Sequence, residues 1–377
     1  MQFRHPRAVV LLFIGIIVVM QAAFWMLPRR PFSENEKRVL AEAPQINAAG
    51  IADGSVFRSI ESYLSDHFPG RDLWVGANAY LERAEGRGAT EDIVCGTDGW
   101  LFTAPVSEER ETLWDNMQAI TTFAERQSVP VTMMAVPSAG AVVSDKLPAL
   151  HLPYPDADML EEARRIAGNT LNWVDLYTAF CSAEQPETLY YRTDHHWTTE
   201  GAYRAYCLLM DKLGQPSVPR DDFTVEQIAD FYGTSYSRSG LWLTEPDTIE
   251  LWTDPAMQAV TTAYDANLAP VTREEMFFRE YLEDADKYPV FLSGNHARVH
   301  IETNADSGKR LLVIKDSYAH ALAPFLAEEY STIDLIDLRY FKQQTISSWL
   351  EENPADEILL VYGLSSLAED KNLQWLE

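Results

Sequence analysis

Basic residues are scarce in this chain of 377 residues. It has 30 Lys and Arg against 57 Asp and Glu, which gives a formal net charge of -27 at pH 7. A protein that binds DNA or RNA needs a basic face to neutralise phosphates, so this composition excludes a nucleic-acid partner. The acidity is typical of a solvated outer surface, and a cation-rich or neutral ligand is the alternative interpretation.

Cysteine is also scarce. The three that are present, Cys95, Cys181 and Cys207, form no CxxC pair and show no metal-ligand spacing. Their odd number argues against a disulfide framework. A Cys181–Cys207 pair stays open, and buried apolar thiols are the interpretation that we favour. Neither a metal nor a cofactor is predicted from these residues.

Long apolar runs are limited to one segment near the N-terminus. Residues Ala8 to Leu27 carry no charge and match the roughly 20 residues that span a bilayer. Arginines flank the segment on both sides, so local charge does not settle its orientation. A cleaved signal peptide has a shorter apolar core and a small-x-small site, whereas Ala22-Ala23 is followed by Phe-Trp-Met. We therefore predict an uncleaved membrane anchor over residues 1–30, with the rest of the chain outside the cytoplasm; a signal peptide is the alternative.

The remaining chain divides into a short segment and one large α/β domain. Residues 31–90 begin with PFSENEKRVLAEAP, which indicates a membrane-proximal linker, and apolar residues at helical spacing predict a helix over Phe57–Glu85. Strand-like and helix-like segments alternate over residues 91–377, and 46% of the chain is hydrophobic, which is enough for a large core. The alternation fails at about residues 216–290, where we predict a lid or insertion.

The alternation predicts a mostly parallel sheet with helices on both faces. The predicted strands include VPVTMMAVP, NWVDLY, RLLVIK, TIDLIDL and DEILLVYG. The predicted helices include ERETLWDNMQAITTFAERQS, DADMLEEARRIAG and TTEGAYRAYCLLMDKLG, the last with Thr198 available as its N-cap. Ligands of such sheets bind at the carboxyl ends of the strands, so functional residues are expected there.

The cluster TDHHW at residues 193–197 is the clearest candidate for chemistry. The preceding TLYYRT is β-branched and aromatic, which predicts a strand, and residues two apart share one face of a strand. Asp194 and His196 then point the same way, with His195 opposite. The carboxylate can fix one ring nitrogen of His196 and leave the other as a general base. Trp197 is expected to cover the pair and exclude water.

Ser317 is the matching candidate nucleophile. It follows the apolar strand RLLVIK and precedes the helix AHALAPFLAEEY, at the carboxyl edge of the sheet. The N–H groups at a helix start favour negative charge, as an oxyanion hole requires. Three other interpretations stay open: Ser317, or Asp316 in its place, is a helix N-cap; Asp194, His195 and His196 bind a metal; or TDHHW is a structural turn.

These motifs resemble the DHHW family of SGNH-hydrolase-like proteins, which are relatives of the alginate O-acetylation proteins of the bacterial cell envelope. The resemblance is carried by DHHW at residues 194–197 and by PFSENEKRVLAEAP, GTDGWLF, VPSAGAVVSDKLP, FLSGNHA, LLVIKDSYAHALAPFLAEEY and IDLRYF. It implies a circularly permuted SGNH-hydrolase-like α/β domain, with Asp194 as the acid, His196 as the base and Ser317 as the nucleophile. The serine block reads KDSYAH rather than GDS-L. The Ser317 N–H is our first candidate oxyanion donor, followed by Gly233 and Asn295, for both of which an ordinary turn residue is the alternative.

The resemblance also implies a function. Relatives of this family usually work beside a multi-pass membrane-bound O-acyltransferase. The expectation is a membrane-anchored, extracytoplasmic O-acetyltransferase without a cofactor, which uses that membrane protein as acyl donor and acts on a cell-envelope or secreted polysaccharide. An acetyl-polysaccharide esterase with the same triad and a non-catalytic polysaccharide-binding or scaffold protein are the alternatives. The candidate substrate-binding side chains are Trp197, Tyr232, Tyr236, Trp242 and Arg339. Simple packing is an equally good account of the aromatic residues in the insertion.

Overall fold

The computed structural model describes residues 6–86, 89–90, 92–107 and 109–377. The chain forms two compact units. One comprises residues 1–87 with 240–243, and the other comprises residues 88–239 with 244–377.

The N-terminal unit begins with an apolar helix. Its helices and strands are α1 (Pro6–Met26), β1 (Phe32–Ser33), β2 (Arg38–Val39), α2 (Ala48–Ala52), α3 (Ser55–Asp66) and α4 (Arg71–Ala84). Within α1, Arg7–Met26 has a mean hydropathy of 2.6 and is long and apolar enough to cross a membrane, by length and composition. This helix fits a single-pass anchor or a signal sequence.

The N-terminal unit differs from the expected linker and single helix. The stretch PFSENEKRVLAEAP folds as an antiparallel hairpin of β1 and β2. Arg38 of this hairpin donates to both carboxylate oxygens of Asp66, and these hydrogen bonds lower the pKa of Asp66 to about 2. The helix predicted over Phe57–Glu85 is interrupted between α3 and α4. Gly70 lies in the interruption at φ +69°, a left-handed conformation that suits glycine.

The larger unit is built on a mixed sheet that has eight strands in the described part of the chain. In chain order the strands of the unit are β3 (Ala89–Thr90), β4 (Ile93–Cys95), β5 (Leu101–Thr103), β6 (Val131–Val136), β7 (Asn172–Val174), β8 (Thr224–Phe231), β9 (Asp247–Thr253), β10 (Ala259–Tyr264), β11 (Pro270–Glu274), β12 (Arg298–Thr303), β13 (Arg310–Lys315), β14 (Thr332–Ile336) and β15 (Glu357–Gly363). The large sheet has the order β11-β10-β12-β14-β13-β15-β6-β7. Strands β3 to β5 form a small antiparallel sheet, and β8 pairs with β9.

The large sheet is parallel on one side and antiparallel on the other. Strands β14, β13, β15, β6 and β7 run parallel to one another, whereas β12, β10 and β11 continue the sheet from β14 in antiparallel pairs. The prediction of a mostly parallel sheet was therefore wrong for one edge. Strands β10 and β11 come from residues 216–290, so two of the four strands in the predicted insertion extend the sheet. Antiparallel strands need no crossover helix, which is why the alternation fails there.

Helices cover both faces of the parallel strands. In chain order they are α5 (Glu111–Arg126), α6 (Ala139–Val142), α7 (Asp156–Ala167), α8 (Leu176–Cys181), α9 (Thr199–Leu213), α10 (Thr234–Ser239), α11 (Ala319–Leu326), α12 (Ile346–Glu352) and α13 (Leu364–Glu369). In β13, Leu311 and Val313 pack into one core and Leu312 and Ile314 into the other. Burial on both faces explains the uninterrupted apolar run of this strand, which leads directly to Ser317.

Two local predictions have clear outcomes. The Thr198 side chain accepts a hydrogen bond from the Gly201 N–H at 3.1 Å, which confirms Thr198 as the N-cap of α9. Cys95, Cys181 and Cys207 are all described and are free thiols, so the Cys181–Cys207 disulfide is not formed.

Candidate active site

The TDHHW segment is a tight bend and not a strand. Tyr190 and Trp197 form an isolated antiparallel bridge, and the residues between them turn back. Within the bend, Asp194 Oδ1 accepts a hydrogen bond from the His196 backbone N–H at 2.8 Å. The strand prediction was wrong because an aspartate side chain of this kind competes with a strand neighbour for the backbone N–H. The bend nevertheless directs the Asp194 carboxylate toward His196, as the prediction required.

Asp194, His196 and Ser317 form a hydrogen-bonded chain. His196 Nδ1 lies 2.6 Å from Asp194 Oδ1, and His196 Nε2 lies 2.7 Å from Ser317 Oγ. An ionised carboxylate only accepts hydrogen bonds, so Nδ1–H donates to Asp194 and Nε2 accepts from the serine hydroxyl. Asp194 and His196 are buried and Ser317 is half-buried. The arrangement has a base that is oriented on one side and open to a hydroxyl on the other.

Ser317 does not cap the helix that follows it. The N-cap of α11 is Tyr318, where no side chain accepts a capping hydrogen bond. Asp316 holds the turn instead, because Oδ1 accepts from the Tyr318 N–H at 3.0 Å and Oδ2 accepts from the Gly363 N–H at 2.8 Å. The interpretation of Ser317 as an N-cap is therefore wrong, since its hydroxyl is directed to His196.

The second oxygen of Asp194 is held by the loop before α10. Oδ2 accepts from the Thr234 N–H at 2.6 Å and from the Thr234 hydroxyl at 3.0 Å. A Cβ at Gly233 would lie 2.2 Å from Asp194 Cβ, so only glycine allows this approach. Burial alone would raise the pKa of Asp194, but the neighbouring His196 and His195 and the hydrogen bonds hold that pKa well below its usual range.

The three candidate oxyanion donors differ in their hydrogen bonds. The Gly233 N–H donates to Thr193 Oγ1 at 3.1 Å and is not free, so this candidate was wrong. Asn295 is exposed, and its Oδ1 accepts from Arg339 Nη2 at 3.3 Å. The Ser317 N–H donates to no acceptor within the described ranges. Ser317 is therefore still the first candidate.

His195 lies against the hydrogen-bonded chain. Its ring centroid is 3.8 Å from that of His196, and its Nδ1 is 2.7 Å from Thr234 Oγ1. The Thr234 hydroxyl donates to Asp194, so it accepts from His195 Nδ1–H, and His195 Nε2 keeps a free lone pair. Burial and the neighbouring His196 lower the pKa of His195 to about 3, which keeps the ring neutral near pH 7.

A cavity of about 660 Å³ lies beside the His195 ring. Its lining includes Thr234, Arg238, Tyr318 and His195. Arg238 is paired with Asp92 at 3.3 Å and half of its side chain is exposed. The volume falls within the roughly 300–1,000 Å³ of small-molecule sites. Ser317 and His196 do not line this cavity, but their chain neighbours Tyr318 and His195 do.

The metal interpretation of the cluster requires existing hydrogen bonds to be displaced. One ligand atom from each of Asp194, His195 and His196 lies within 4.8 Å of the others. However, the Asp194 carboxylate already accepts hydrogen bonds at both oxygens, and Nδ1 of each histidine is engaged. A metal ligand keeps its orienting hydrogen bonds on the atoms that do not bind the metal, whereas here both Asp194 oxygens and both His196 nitrogens already have hydrogen-bond partners, which leaves His195 Nε2 as the candidate ligand atom without one among the described residues.

Tyr288 covers the ring of His196, although the sequence did not single it out. Its ring stacks on the His196 ring, with centroids 4.1 Å apart and 10° between the planes. Trp197, which was expected to have this role, is fully buried, and its Nε1 donates to the Tyr318 carbonyl oxygen at 3.1 Å. Trp197 thus supports the serine segment from within the core. It has no exposed face for a sugar, so its assignment as a substrate-binding residue was wrong.

A buried charged cluster supports the same segment. Lys315, two residues before Ser317, is buried, with Nζ 2.7 Å from His320 Nε2 and 3.4 Å from Asp337 Oδ2. Arg339 donates to both carboxylate oxygens of Asp337, at 2.9 and 2.6 Å. Arg339 therefore has a structural partner, and its contact with substrate stays a prediction.

The remaining candidates for sugar contacts lie in different surroundings. Tyr236 is buried against Tyr232, with ring centroids 4.4 Å apart, and its N–H donates to the Thr193 carbonyl oxygen. Packing therefore accounts for Tyr236. Tyr232 is half-buried. Trp242 belongs to the N-terminal unit, where its Nε1 donates to the Asp72 carbonyl oxygen at 2.9 Å. Sugar stacking by Tyr232 or Trp242 stays a prediction.

The family resemblance is confirmed over the part of the chain that carries the candidate residues. Residues 168–336, which include Asp194, His196 and Ser317, match the family model described as DHHW protein. The probable alginate O-acetylase AlgJ of Pseudomonas aeruginosa is 27% identical over 180 residues, which are 43% of this chain and 44% of that protein. AlgJ of Pseudomonas syringae is 28% identical over 208 residues, 51% of this chain and 48% of that protein. The chain spans about half the length of these curated relatives.

Solved structures share the fold of this chain. A DHHW family protein from Eubacterium siraeum aligns with a TM-score of 0.65 and 24% identity, over 76% of this chain and 95% of that chain. PatB1 of Bacillus cereus, in a structure with a sulfonyl adduct, aligns with a TM-score of 0.64 and 23% identity, over 76% and 97% of the two chains. At these identities the comparison establishes a shared α/β fold.

Proposed function

We propose that this chain is an O-acetyltransferase that modifies a cell-envelope or secreted polysaccharide through an acetylated Ser317. The observation that carries the proposal is the hydrogen-bonded chain from Asp194 through His196 to Ser317, with links of 2.6 and 2.7 Å. The similarity to two proteins named as probable alginate O-acetylases supports acetyl transfer to a polysaccharide.

The location and the acetyl source are further parts of the proposal. The apolar helix α1 supports a single-pass anchor with the larger unit outside the cytoplasm. A multi-pass membrane-bound O-acyltransferase then supplies the acetyl group. The larger unit is proposed to be a circularly permuted SGNH-hydrolase-like domain, in which Asp194 and His196 precede Ser317 along the chain.

Acetylation of the enzyme is the first half-reaction. Ser317 Oγ attacks the carbonyl carbon of the donor while its proton moves to His196 Nε2. Asp194 stabilises the resulting imidazolium, and the Ser317 N–H faces the developing oxyanion. The bond to the leaving group then breaks, the leaving group takes the proton from His196, and the acetyl group stays on Oγ.

Transfer to the sugar is the second half-reaction. A sugar hydroxyl enters the cavity beside His195, gives its proton to His196 Nε2 and attacks the acetyl carbon. Ser317 Oγ leaves and recovers a proton from His196. Transfer exceeds hydrolysis only if the sugar excludes water. The Tyr288 ring over His196 and the free His195 Nε2, which can accept from a second sugar hydroxyl, both favour this outcome.

The proposal is tested with a chromogenic acetyl ester, with and without oligosaccharides. Wild type is expected to cleave the ester and to place acetyl groups on an oligosaccharide, and Ser317→Ala is expected to do neither. Serine-dependent cleavage without any acetylated sugar would favour an esterase. Equal cleavage by both proteins would reject Ser317 as the nucleophile.

A further inference from the structure

The two long helices that follow the hairpin of the N-terminal unit expose apolar side chains at helical spacing. On α3, Phe57 and Leu64 lie on one face, 60% and 47% exposed. On α4, Leu73, Trp74 and Leu81 lie on one face, 72%, 55% and 58% exposed. We refer to these five side chains as the apolar face. Exposed apolar residues grouped in this way mark an interaction surface more often than scattered ones do.

The end of α1 is attached to α3. Phe24 is buried, whereas most other side chains of α1 are exposed. Its ring packs edge-on against Tyr63 of α3, with centroids 6.3 Å apart. The Arg29 guanidinium lies 3.9 Å from the Phe24 ring centroid and 5.5 Å from that of Tyr63. These contacts connect the last turn of α1 to the middle of α3.

A second contact connects the segment after α1 to α4. Arg30 Nη2 lies 3.0 Å from Oδ2 of Asp72, which is in the first turn of α4 and directly precedes Leu73. Both α3 and α4 are therefore held close to the point where the chain leaves α1.

The length of α1 places these contacts relative to a bilayer. The apolar span runs from Arg7 to Met26. At about 1.5 Å per residue it is about 30 Å long, which equals the thickness of the hydrocarbon core. Phe24 lies two residues before the end of the span, about 3 Å inside the boundary. A helix in contact with Phe24 therefore lies at the level where acyl chains meet headgroups.

We propose that α3 and α4 lie on the bilayer surface and insert their apolar face among the lipids at the acyl–headgroup boundary. The inference depends on the part of the proposed function that makes α1 a membrane anchor. A lipid surface fits the residue types, because helices of this kind insert leucine, phenylalanine and tryptophan by about 5–10 Å and keep polar side chains among the headgroups. Trp74 and the exposed Trp25 are of the type that is enriched at this boundary.

The test uses the full-length protein in phosphatidylcholine vesicles. The exposed Cys181 is replaced by serine, and single cysteines are introduced as Leu64→Cys or Leu73→Cys and labelled with a polarity-sensitive fluorophore. Ser62→Cys is the matched control. Ser62 is exposed on the same helix as Leu64, but two residues turn an α-helix by about 200°, so the two side chains lie on opposite faces. The protein without an added cysteine gives the background. Thermal unfolding shows whether each labelled variant is folded as the parent is.

Lipids that carry a nitroxide near the top of the acyl chain distinguish the outcomes. We expect blue-shifted emission at positions 64 and 73 and at least about twofold more nitroxide quenching there than at 62, given the shallow depth of such helices. An apolar environment without nitroxide quenching would mean that a protein covers the face, and would overturn the proposal. Equal, water-like emission at all three positions in vesicle-bound protein would also overturn it.

The proposed function is measured separately on the same samples. If the protein does not remain with the vesicles, α1 is not an anchor and the inference fails, whereas Ser317-dependent cleavage of the acetyl ester still reports on the catalytic proposal. If the vesicle-bound labels behave as expected but no ester is cleaved, the inference stands and the catalytic proposal fails.

Discussion

A methyl group added at Gly233 tests whether the loop before α10 holds the Asp194 carboxylate in place. The new Cβ would lie 2.2 Å from Asp194 Cβ and 2.5 Å from Asp194 Oδ2, whereas ordinary contacts begin at 3.4 Å. Asp194 is fixed on both sides by hydrogen bonds from His196 and Thr234, so it cannot swing away freely. The loop and the carboxylate must therefore separate by about 1 Å, a displacement that can lower the rate about 100-fold. Overpacking of this kind also costs about 1–3 kcal/mol of unfolding free energy.

The assay measures the initial burst of chromophore from an acetyl ester, together with urea unfolding. Gly140→Ala is the matched control because its Cβ would lie 2.2 Å from Tyr154 Cζ, a comparable overlap that involves no member of the triad. We expect both variants to lose stability and only Gly233→Ala to lose about 100-fold in acylation rate. Acylation of Gly233→Ala at the wild-type rate would refute the role that we assign to this loop.

Three further substitutions test other parts of the site and fold. In Asp194→Asn, the amide NH₂ group faces a hydrogen-bond donor, either of His196 or of Thr234, so one hydrogen bond is lost. We expect the acylation rate to fall by roughly 10⁴-fold, measured by burst kinetics, and the unfolding free energy to fall by about 3 kcal/mol, measured by urea titration. Tyr288→Phe keeps the stack on His196 and should acylate nearly as wild type does. Tyr288→Ala should lose about fivefold in acylation rate, as expected for an aromatic contact of about 1 kcal/mol; equal rates would contradict this. Burial raises the pKa of Glu328 from 4.5 to about 7, so the folded protein binds an extra proton between these values and wild-type stability falls as pH rises through them. Glu328→Gln should reduce that slope and gain about 1 kcal/mol over wild type at pH 8 but not at pH 4, since solvent around this partly exposed side chain screens much of the effect; urea unfolding measures it.

The sequence was a good guide to the residues that meet at the site, and a poorer guide to how they are held. Asp194, His196 and Ser317 do lie in one hydrogen-bonded chain. The serine was found because an apolar strand followed by a helix start marks the carboxyl edge of a parallel sheet. Asp194 and His196 were predicted to share one face of a strand. They lie in a bend instead, and the bend also brings residues i and i+2 together.

The parts that sequence reasoning missed depend on contacts between distant segments. Tyr288 stacks on His196 across 92 positions of the chain, and nothing near either residue in sequence indicates the contact. Gly233 was named as a candidate oxyanion donor on the family resemblance, yet its lack of a side chain allows the close approach to Asp194. Trp197 looked like a cover because it follows His196, but the bend turns its ring into the core.

Some elements of the fold were also predicted from the sequence, and others were missed. Strands such as β13, which are buried on both faces, were predicted from their uninterrupted apolar residues. The antiparallel edge made of β10 and β11 was missed because these strands have no intervening helix, and because β10 (AVTTAY) has neither a continuous apolar run nor a regular alternation of polar and apolar residues. The break between α3 and α4 falls at Gly70, which a pattern of apolar spacing alone does not detect.

The most direct test of the central claim is the mass of the peptide that contains Ser317 after reaction. Wild-type protein is mixed with an acetyl ester, quenched in acid within the burst and digested with trypsin, which cuts after Lys315 and after Arg339. We expect the peptide Asp316–Arg339 to gain one acetyl group on Ser317 and to lose it when an acceptor sugar or excess time is supplied. An unmodified peptide, or acetyl on another residue, in a sample that cleaves the ester would contradict the account.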